Sequence, residues 1–304
     1  MRKTIPLLAG LLLQASLCIA GNGESTEVSV TPDIAPDAMD VVTSYDVPYV
    51  AAVLDRKTDP GQTLDIYRPV NTELPPVILY LHGGDWAFGD KKDVHLMPFY
   101  FATKGIAFVS MNYRLRWDYK VYDQVTDVVA AVKWLAEHGE EHGLDGSRVV
   151  LLGNMSGGHL ASLAITNSAF MKAESFSGDN IKAVVSLDSV SYDINRLMKE
   201  LGSFIERQKH ELIFTGDKKV WTAASPITHV EKSRTLKPFA LLYSPGNEAA
   251  LLQAKGFARK LSDAEVPVIM VAGAAESPKT IAEQIGAADS IATGALMAFL
   301  RAQL

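Results

Sequence analysis

Cysteine is nearly absent from the 304-residue sequence, which contains only Cys18. A single thiol cannot form a disulfide within the chain, so the fold cannot depend on cross-links and needs no oxidative folding. With 48% of residues in the hydrophobic set and 21% charged, the composition is that of a globular protein. A chain of this length buries roughly 75% of the surface that its unfolded form exposes. We therefore expect stability to come from a large hydrophobic core.

Clusters of basic residues are also absent. The sequence carries 29 Lys and Arg against 35 Asp and Glu, a formal net charge of −6, and its cations are scattered along the chain. Proteins that bind nucleic acid concentrate their cations in a patch or a stripe. The sequence therefore argues against a nucleic-acid partner.

An apolar run long enough to span a membrane is missing as well. The stretch from Ile5 to Ile19 is interrupted by Gln14 and Ser16, and it is short against the ~20 apolar residues of a membrane helix. Basic residues precede it and small residues end it, a pattern typical of a secretory signal peptide. We expect residues 1–20 to be cleaved, no stable membrane span in the mature chain, and a secreted or periplasmic location.

The remaining sequence predicts one α/β domain. Residues 21–45 are polar and contain proline, which indicates a loosely ordered leader, and residues 46–304 alternate short apolar runs with longer amphipathic stretches. The clearest helix is Tyr122 to His138. This alternation favours a mostly parallel central sheet flanked by helices on both faces. The predicted strands are Thr63–Tyr67, Val77–Leu81, Ala107–Met111, Val149–Leu152, Ala183–Leu187, Phe239–Tyr243 and Val268–Val271.

Two glycine-rich turns follow predicted strands. The first, His82-Gly83-Gly84-Asp85-Trp86, allows backbone N–H groups to approach a ligand, as in one half of an oxyanion hole. The second runs from Gly153 through Met155 to Gly157 and leads into an apolar helix, whose N-terminus directs N–H groups at whatever the turn faces. Both turns predict a site for a carbonyl or an anion.

With these turns the sequence resembles the α/β-hydrolase superfamily, in particular the secreted carboxylesterase and lipase group with an HGG oxyanion motif. The resemblance covers most of residues 46–304. It implies an α/β-hydrolase fold, no cofactor, and an ester, acyl or carbohydrate-derived small-molecule ligand. The matching segments are Leu64-Asp65-Ile66-Tyr67-Arg68-Pro69, the HGG motif continuing to Gly89-Asp90-Lys91, Asn112-Tyr113-Arg114-Leu115, the Gly153–Gly157 turn, Ser225-Pro226-Ile227-Thr228-His229 and the closing helix to Leu300.

The residues that carry the family's chemistry are replaced. The family's nucleophilic serine stands between the two turn glycines, where this chain has Met155, and a thioether cannot act as a hydroxyl. The following residue, Ser156, is expected one step into the helix, where its N–H serves the oxyanion hole.

The other two positions of the family's triad have also changed. The acid position falls on Gly246 or Asn247, with Glu248 as the only nearby carboxylate. The histidine position falls near Ser277, and no histidine follows His229. The resemblance therefore implies a degenerate triad.

Three functional hypotheses remain open. The first is a hydrolase relative without efficient turnover that binds its ligand at Gly83, Gly84, Trp86 and Ser156. The second is an active ester hydrolase with displaced machinery, in which Ser156 works with His159 or His82 and Glu248. The third is a structural or partner-binding protein, and the oligomeric state stays open.

One further pattern concerns metal binding. His138-Gly139-Glu140-Glu141-His142 matches a zinc-protease spacing. A glycine lies inside the would-be ligand helix and the segment leads to the strand edge opposite the ligand crevice, so we expect no metal site.

Overall fold

A mixed β-sheet of eight strands is the centre of the computed structural model, which describes residues 41–50, 61–115, 119–232, 236–273, 278–287 and 290–304. The strands are β1 (Val41–Pro48), β2 (Thr63–Pro69), β3 (Pro76–Leu81), β4 (Ala107–Met111), β5 (Asp145–Asn154), β6 (Ile181–Leu187), β7 (Phe239–Tyr243) and β8 (Val268–Ala272). All seven predicted strands are present, and β4 and β7 have the predicted bounds.

The strands lie in the order β1-β2-β4-β3-β5-β6-β7-β8. β2 runs antiparallel to both of its neighbours. The other six strands, β3 to β8, are parallel to one another. The carboxyl ends of the parallel strands therefore meet at one edge, which is where open α/β sheets bind ligands. The predicted fold class, a mostly parallel sheet in an α/β-hydrolase fold, is confirmed.

The sequence analysis set the start of the domain too late. It assigned residues 21–45 to a leader, but β1 begins at Val41 and pairs with β2 from Val41 opposite Pro69 to Pro48 opposite Thr63. β1 escaped prediction because much of it is exposed and lacks an apolar run. The predicted signal peptide at 1–20 and the remainder of the predicted leader lie outside the described residues.

Helices cover both faces of the sheet. The predicted helix Tyr122–His138 is observed as α2, which spans Val121–His138. No helix in the described part of the chain is both long and apolar enough to cross a membrane. In chain order the helices are α1 (Met97–Ala102), α2 (Val121–His138), α3 (Ser156–Thr166), α4 (Ala169–Ala173), α5 (Ile194–Glu200), α6 (Phe204–Phe214), α7 (Lys218–Ala223), α8 (Glu248–Asp263), α9 (Pro278–Gln284) and α10 (Ile291–Arg301).

Two hydrophobic cores lie on opposite faces of the sheet. In β3, Val77 and Leu79 belong to the core shared with α2, α3 and α8, whereas Ile78 and Tyr80 belong to the core shared with α1, α9 and α10. Successive residues of a strand point to opposite faces, so burial of both faces requires a continuous apolar run. This explains why the central strands show little polar alternation in the sequence.

The turn between β5 and α3 is held by close backbone approaches. A Cβ at Gly157 would overlap the carbonyl oxygen of Leu81 at the end of β3, and a Cβ at Gly153 would overlap the carbonyl of Gly157. A Cβ at Gly158 would overlap the Ser186 hydroxyl on β6. The three glycines therefore allow α3 to start directly against the ends of the central strands.

We expect Gly157→Ala to destabilise the fold by roughly 3 kcal/mol, because the added methyl meets backbone that cannot move aside. The matched control is Gly256→Ala in the middle of α8, where an added Cβ has nothing within 4 Å. Alanine there should instead stabilise by up to about 1 kcal/mol, since it restricts the unfolded chain. Urea unfolding of the two variants measures both effects, and equal stabilities would contradict the close approach.

Candidate active site

Met155 occupies the tip of the elbow between β5 and α3. Its backbone has φ 50° and ψ −109°, a strained left-handed conformation for a residue other than glycine. Its N–H donates to the Leu187 carbonyl at the end of β6, at 2.8 Å. The side chain is partly exposed. The elbow therefore has the backbone shape that holds the nucleophile in the α/β-hydrolase fold. In this chain the side chain at its tip is the thioether of Met155.

The loop after β3 lies against this tip. A Cβ at Gly83 would stand 3.3 Å from the Asn154 backbone oxygen and 3.5 Å from the Met155 Cβ. Gly84, Asp85 and Trp86 all have positive φ, of 118°, 52° and 60°. The N–H groups of Ala87 and Phe88 donate to the Gly84 carbonyl at 3.0 and 2.9 Å and close the loop.

Three backbone N–H groups around the elbow tip are left unused. Those of Gly83, Gly84 and Ser156 have no hydrogen-bond acceptor among the described residues. The Ser156 N–H belongs to the first turn of α3, where the helix dipole also favours negative charge. Three N–H groups in this arrangement can donate hydrogen bonds to a carbonyl or carboxylate oxygen.

His82 fixes the loop. Its Nδ1–H donates to the Gly83 carbonyl at 2.7 Å, and its ring stacks on Tyr113 with 4.4 Å between centroids. The Tyr113 hydroxyl donates to the His82 carbonyl at 2.9 Å. Burial lowers the pKa of His82, so the neutral ring is favoured. This histidine is placed as a positioning residue for the glycine loop.

A buried ion cluster supports the loop from behind. The Lys91 ammonium binds the buried Asp65 carboxylate and contacts Asp46 at 2.8 Å, and the Lys91 N–H donates to the Asn112 side chain at 2.6 Å. Three of the segments that carried the family resemblance, around Asp65, Lys91 and Asn112, therefore meet at one place.

Ser156 is the first residue of α3. Its side chain is buried, with 3% of the residue exposed, and lies next to Tyr113. No partner for its hydroxyl meets hydrogen-bond geometry in the described part of the structure. No histidine ring nitrogen of this region bonds to it.

Both ring nitrogens of His159 are engaged elsewhere. The Trp86 indole N–H donates to His159 Nδ1 at 3.1 Å, and since an indole can only donate, Nδ1 must be unprotonated. Nε2 therefore carries the proton and donates to the Ala224 carbonyl at 2.8 Å. Burial lowers the pKa of His159 to about 4, against the effect of that carbonyl. His159 is a neutral packing residue in this arrangement.

The ligand role expected for Trp86 stays a prediction. Its side chain is buried against His159 and against Phe214 of α6, with 4.8 Å between the Trp86 and Phe214 centroids. Its carbonyl accepts from the Gln124 amide at 2.8 Å. The indole therefore packs against α3 and α6, and the Trp86 backbone bonds to α2.

The acid position contains a helix cap. The Asn247 side chain accepts from the Ala250 N–H at 3.1 Å and starts α8, and Glu248 is exposed on the first turn of the same helix. Neither side chain bonds to a histidine in the described residues. Ser277, the expected histidine position, lies outside the described residues.

A buried carboxylate at the same sheet edge was missed by the sequence analysis. Asp188 follows β6 directly, next to Leu187, which holds the elbow. Its two oxygens accept from the Ser244 N–H and hydroxyl, both at 2.6 Å. Burial raises the pKa of Asp188, against the two hydrogen bonds from Ser244. The sequence places Asp188 directly after a predicted strand. Because the carboxyl ends of parallel strands share one edge, this position could have indicated a residue of the site.

The zinc-like spacing around His138 is interrupted. α2 ends at His138, and His142 lies in a separate 3₁₀ turn, so the two imidazoles do not stand one turn apart on a helix. No cluster of three or more potential metal-ligating side chains occurs within the described ranges.

The sheet order, the strained elbow and the glycine loop beside it define an α/β-hydrolase scaffold of the esterase and lipase type. The chain belongs to the BD-FAE family, whose sequence model matches residues 64–248. The resemblance stated from the sequence is thereby confirmed at the level of superfamily.

Known relatives are similar to this chain over part of their length. It is 29% identical over 210 residues to the "Probable carboxylic ester hydrolase LipM" of Mycobacterium tuberculosis, covering 65% of this chain and 48% of that protein. It is 31% identical over 144 residues to the isoprenylcysteine alpha-carbonyl methylesterase ICME of Arabidopsis thaliana, covering 46% and 34%. The chain thus spans about half, or less, of the length of these curated relatives.

A solved structure of similar fold is esterase B from Lactobacillus Rhamnosis, with a TM-score of 0.71 and 24% identity over 88% of this chain and 87% of that one. The same enzyme has also been solved inhibited with a tributyrin phosphonate. At this identity the likeness extends to the fold alone.

We expect the free energy of unfolding to fall by roughly 2 kcal/mol between pH 7 and pH 5 through His159 alone. The folded-state pKa of about 4 lies below the ordinary 6.5, so the unfolded chain binds the proton first and stability is lost as the pH falls through this window. His159→Gln should lose this part of the pH dependence, whereas His95→Gln, at an exposed histidine, should keep it. Urea unfolding at both pH values measures the difference, and identical slopes for all three proteins would disprove a buried neutral His159.

Proposed function

We propose that this chain is a carboxylesterase-family protein that binds an ester-like or acyl ligand and hydrolyses it weakly or not at all. The observation that carries the proposal is the elbow tip, where Met155 stands beside three unused N–H donors. The binding half of a hydrolytic site is retained around a residue that cannot attack a carbonyl.

The missing general base is the main chemical argument for weak turnover. A serine at its free pKa is a poor nucleophile and requires an adjacent base. The sequence has no histidine after His229, and hydrogen bonds occupy both ring nitrogens of His159 and Nδ1 of His82. An oxyanion hole alone retains about 10³- to 10⁴-fold acceleration over water, which sets the scale of any residual activity.

The ligand class follows from the two sides of the site. The N–H donors and the N-terminus of α3 favour a carbonyl or carboxylate oxygen. The flexible thioether of Met155 offers an adaptable apolar surface to an acyl or aromatic group. Esters, apolar carboxylates and acylated carbohydrates combine these two features.

We expect the purified protein to hydrolyse p-nitrophenyl acetate and butyrate at rates far below the ~10 s⁻¹ typical of enzymes. Ser156→Ala should leave the residual rate unchanged, because the Ser156 hydroxyl is buried. The names of the relatives describe hydrolases, so this assay is the direct test of the proposal. Turnover near 10 s⁻¹ that Ser156→Ala abolishes would establish an active ester hydrolase with displaced machinery.

Met155→Ser serves as the companion variant in the same assay. It restores the hydroxyl but supplies no base, so its turnover should remain low. High activity in this single variant would reveal a base near the elbow and would overturn the proposed loss of the triad.

We expect hexanoate and phenylacetate to raise the melting temperature by about 3 °C or more at saturating concentration, whereas hexylamine should not. Gly83→Ala places a methyl between the loop and the elbow tip and should remove this shift, with Gly256→Ala as the matched control. Gly84 is less suitable, because a Cβ there overlaps the Phe88 carbonyl. A well-folded protein that none of these carboxylates stabilises would favour the structural-partner hypothesis.

A further inference from the structure

Met155 is one of the few methionines that solvent reaches. Of the methionines in the described residues, five are buried, whereas Met155 and Met270 are partly exposed. Peroxide oxidises accessible thioethers to sulfoxides and spares buried ones. Met270 lies on β8, the last strand of the sheet, away from the elbow, and so provides an internal reference.

Backbone N–H groups without an acceptor lie beside Met155. The N–H groups of Gly83, Gly84 and Ser156 have none among the described residues, and a thioether sulfur is a weak acceptor. The Met155 Cβ lies 3.5 Å from the position of a Cβ at Gly83, so the sulfur, two bonds further along the side chain, is within reach of the loop. A sulfoxide oxygen, which is polar, would supply the acceptor that the site lacks.

We propose that Met155 is a peroxide-sensitive modification site, whose sulfoxide oxygen accepts from the N–H groups at the elbow and so blocks these donors to carboxylate ligands. The effect on carboxylate binding rests on the proposed function, whereas the oxidation of Met155 does not.

The chemistry balances with hydrogen peroxide as the oxidant. A lone pair of the Met155 sulfur attacks one peroxide oxygen, and the S–O bond forms as the O–O bond breaks. The hydroxysulfonium that results gives its proton to the leaving hydroxide, which leaves the sulfoxide and water. The sulfur loses two electrons and the peroxide gains them. A methionine sulfoxide reductase reverses the change.

The sign of the stability change distinguishes this site from ordinary oxidative damage. Sulfoxides in apolar surroundings disrupt packing and lower stability. At Met155 the new oxygen satisfies backbone donors without entering a core, so the oxidised protein should melt higher than the reduced one.

The experiment treats the purified protein with hydrogen peroxide and follows each methionine by peptide mass spectrometry and the melting temperature by calorimetry. In Met270→Leu, where Met155 is the partly exposed methionine among the described residues, its oxidation should raise the melting temperature by about 2 °C. In Met155→Leu, oxidation of Met270 should give no rise. Met155→Gln, which places an amide oxygen at a similar distance, should show the rise without peroxide.

A second measurement tests ligand binding separately from oxidation. Oxidation of Met270→Leu should abolish the hexanoate shift seen in its reduced form. If hexanoate fails to stabilise even the reduced protein while oxidation still raises the melting temperature, the modification site stands and the proposed ligand function fails. If Met155 oxidises no faster than Met270, or its oxidation lowers the melting temperature, the modification site is overturned whatever hexanoate does.

Discussion

The approach of α3 to the end of β3 is the constraint on which the site depends. Gly157 lies so close to the carbonyls of Leu81 and His82 that no side chain fits between them. This contact places the first turn of α3 beside the glycine loop, because that loop begins at the residue after Leu81. The glycine loop and the first turn of α3 can therefore lie side by side only while residue 157 lacks a side chain.

Backbone strain is concentrated at the same point. Met155, Asp85 and Trp86 hold positive φ angles that cost of order 1–3 kcal/mol each when a residue other than glycine adopts them. Surrounding contacts over-determine these conformations. The Gly84 carbonyl accepts two N–H groups, the Gln124 amide holds the Trp86 carbonyl, and a buried lysine and its carboxylates support the loop from behind. The strain is thus a property of the scaffold, and it persists around a side chain that carries no hydroxyl.

The sequence predicted the sheet well because buried parallel strands leave a clear signal. Runs such as Ala107–Met111 and Phe239–Tyr243 are apolar on both faces, and their observed bounds match the prediction. β1 was missed because it is partly exposed and carries mixed residues. The glycine loop and the elbow were found because close backbone approach requires glycine, which a sequence displays directly.

Tertiary partners were beyond such reasoning. The packing of Trp86 was not predicted, because its neighbours come from α3 and α6, far along the chain. Asp188 was overlooked because its partner Ser244 is contributed by another strand. In both cases the decisive contact joins residues more than fifty positions apart.

The elbow holds residue 155 through main-chain atoms. The N–H of Met155 bonds to Leu187, its carbonyl accepts from the His159 N–H at 3.2 Å, and the flanking glycines fit the backbone alone. The side chain at this position is therefore largely uncoupled from folding, provided that it is not β-branched, a class that tolerates positive φ poorly. A lineage can drift between a hydroxyl and a thioether here with little effect on solubility or abundance. For protein engineering, position 155 is therefore a site where side chains with new reactive groups can be introduced without disturbing the fold.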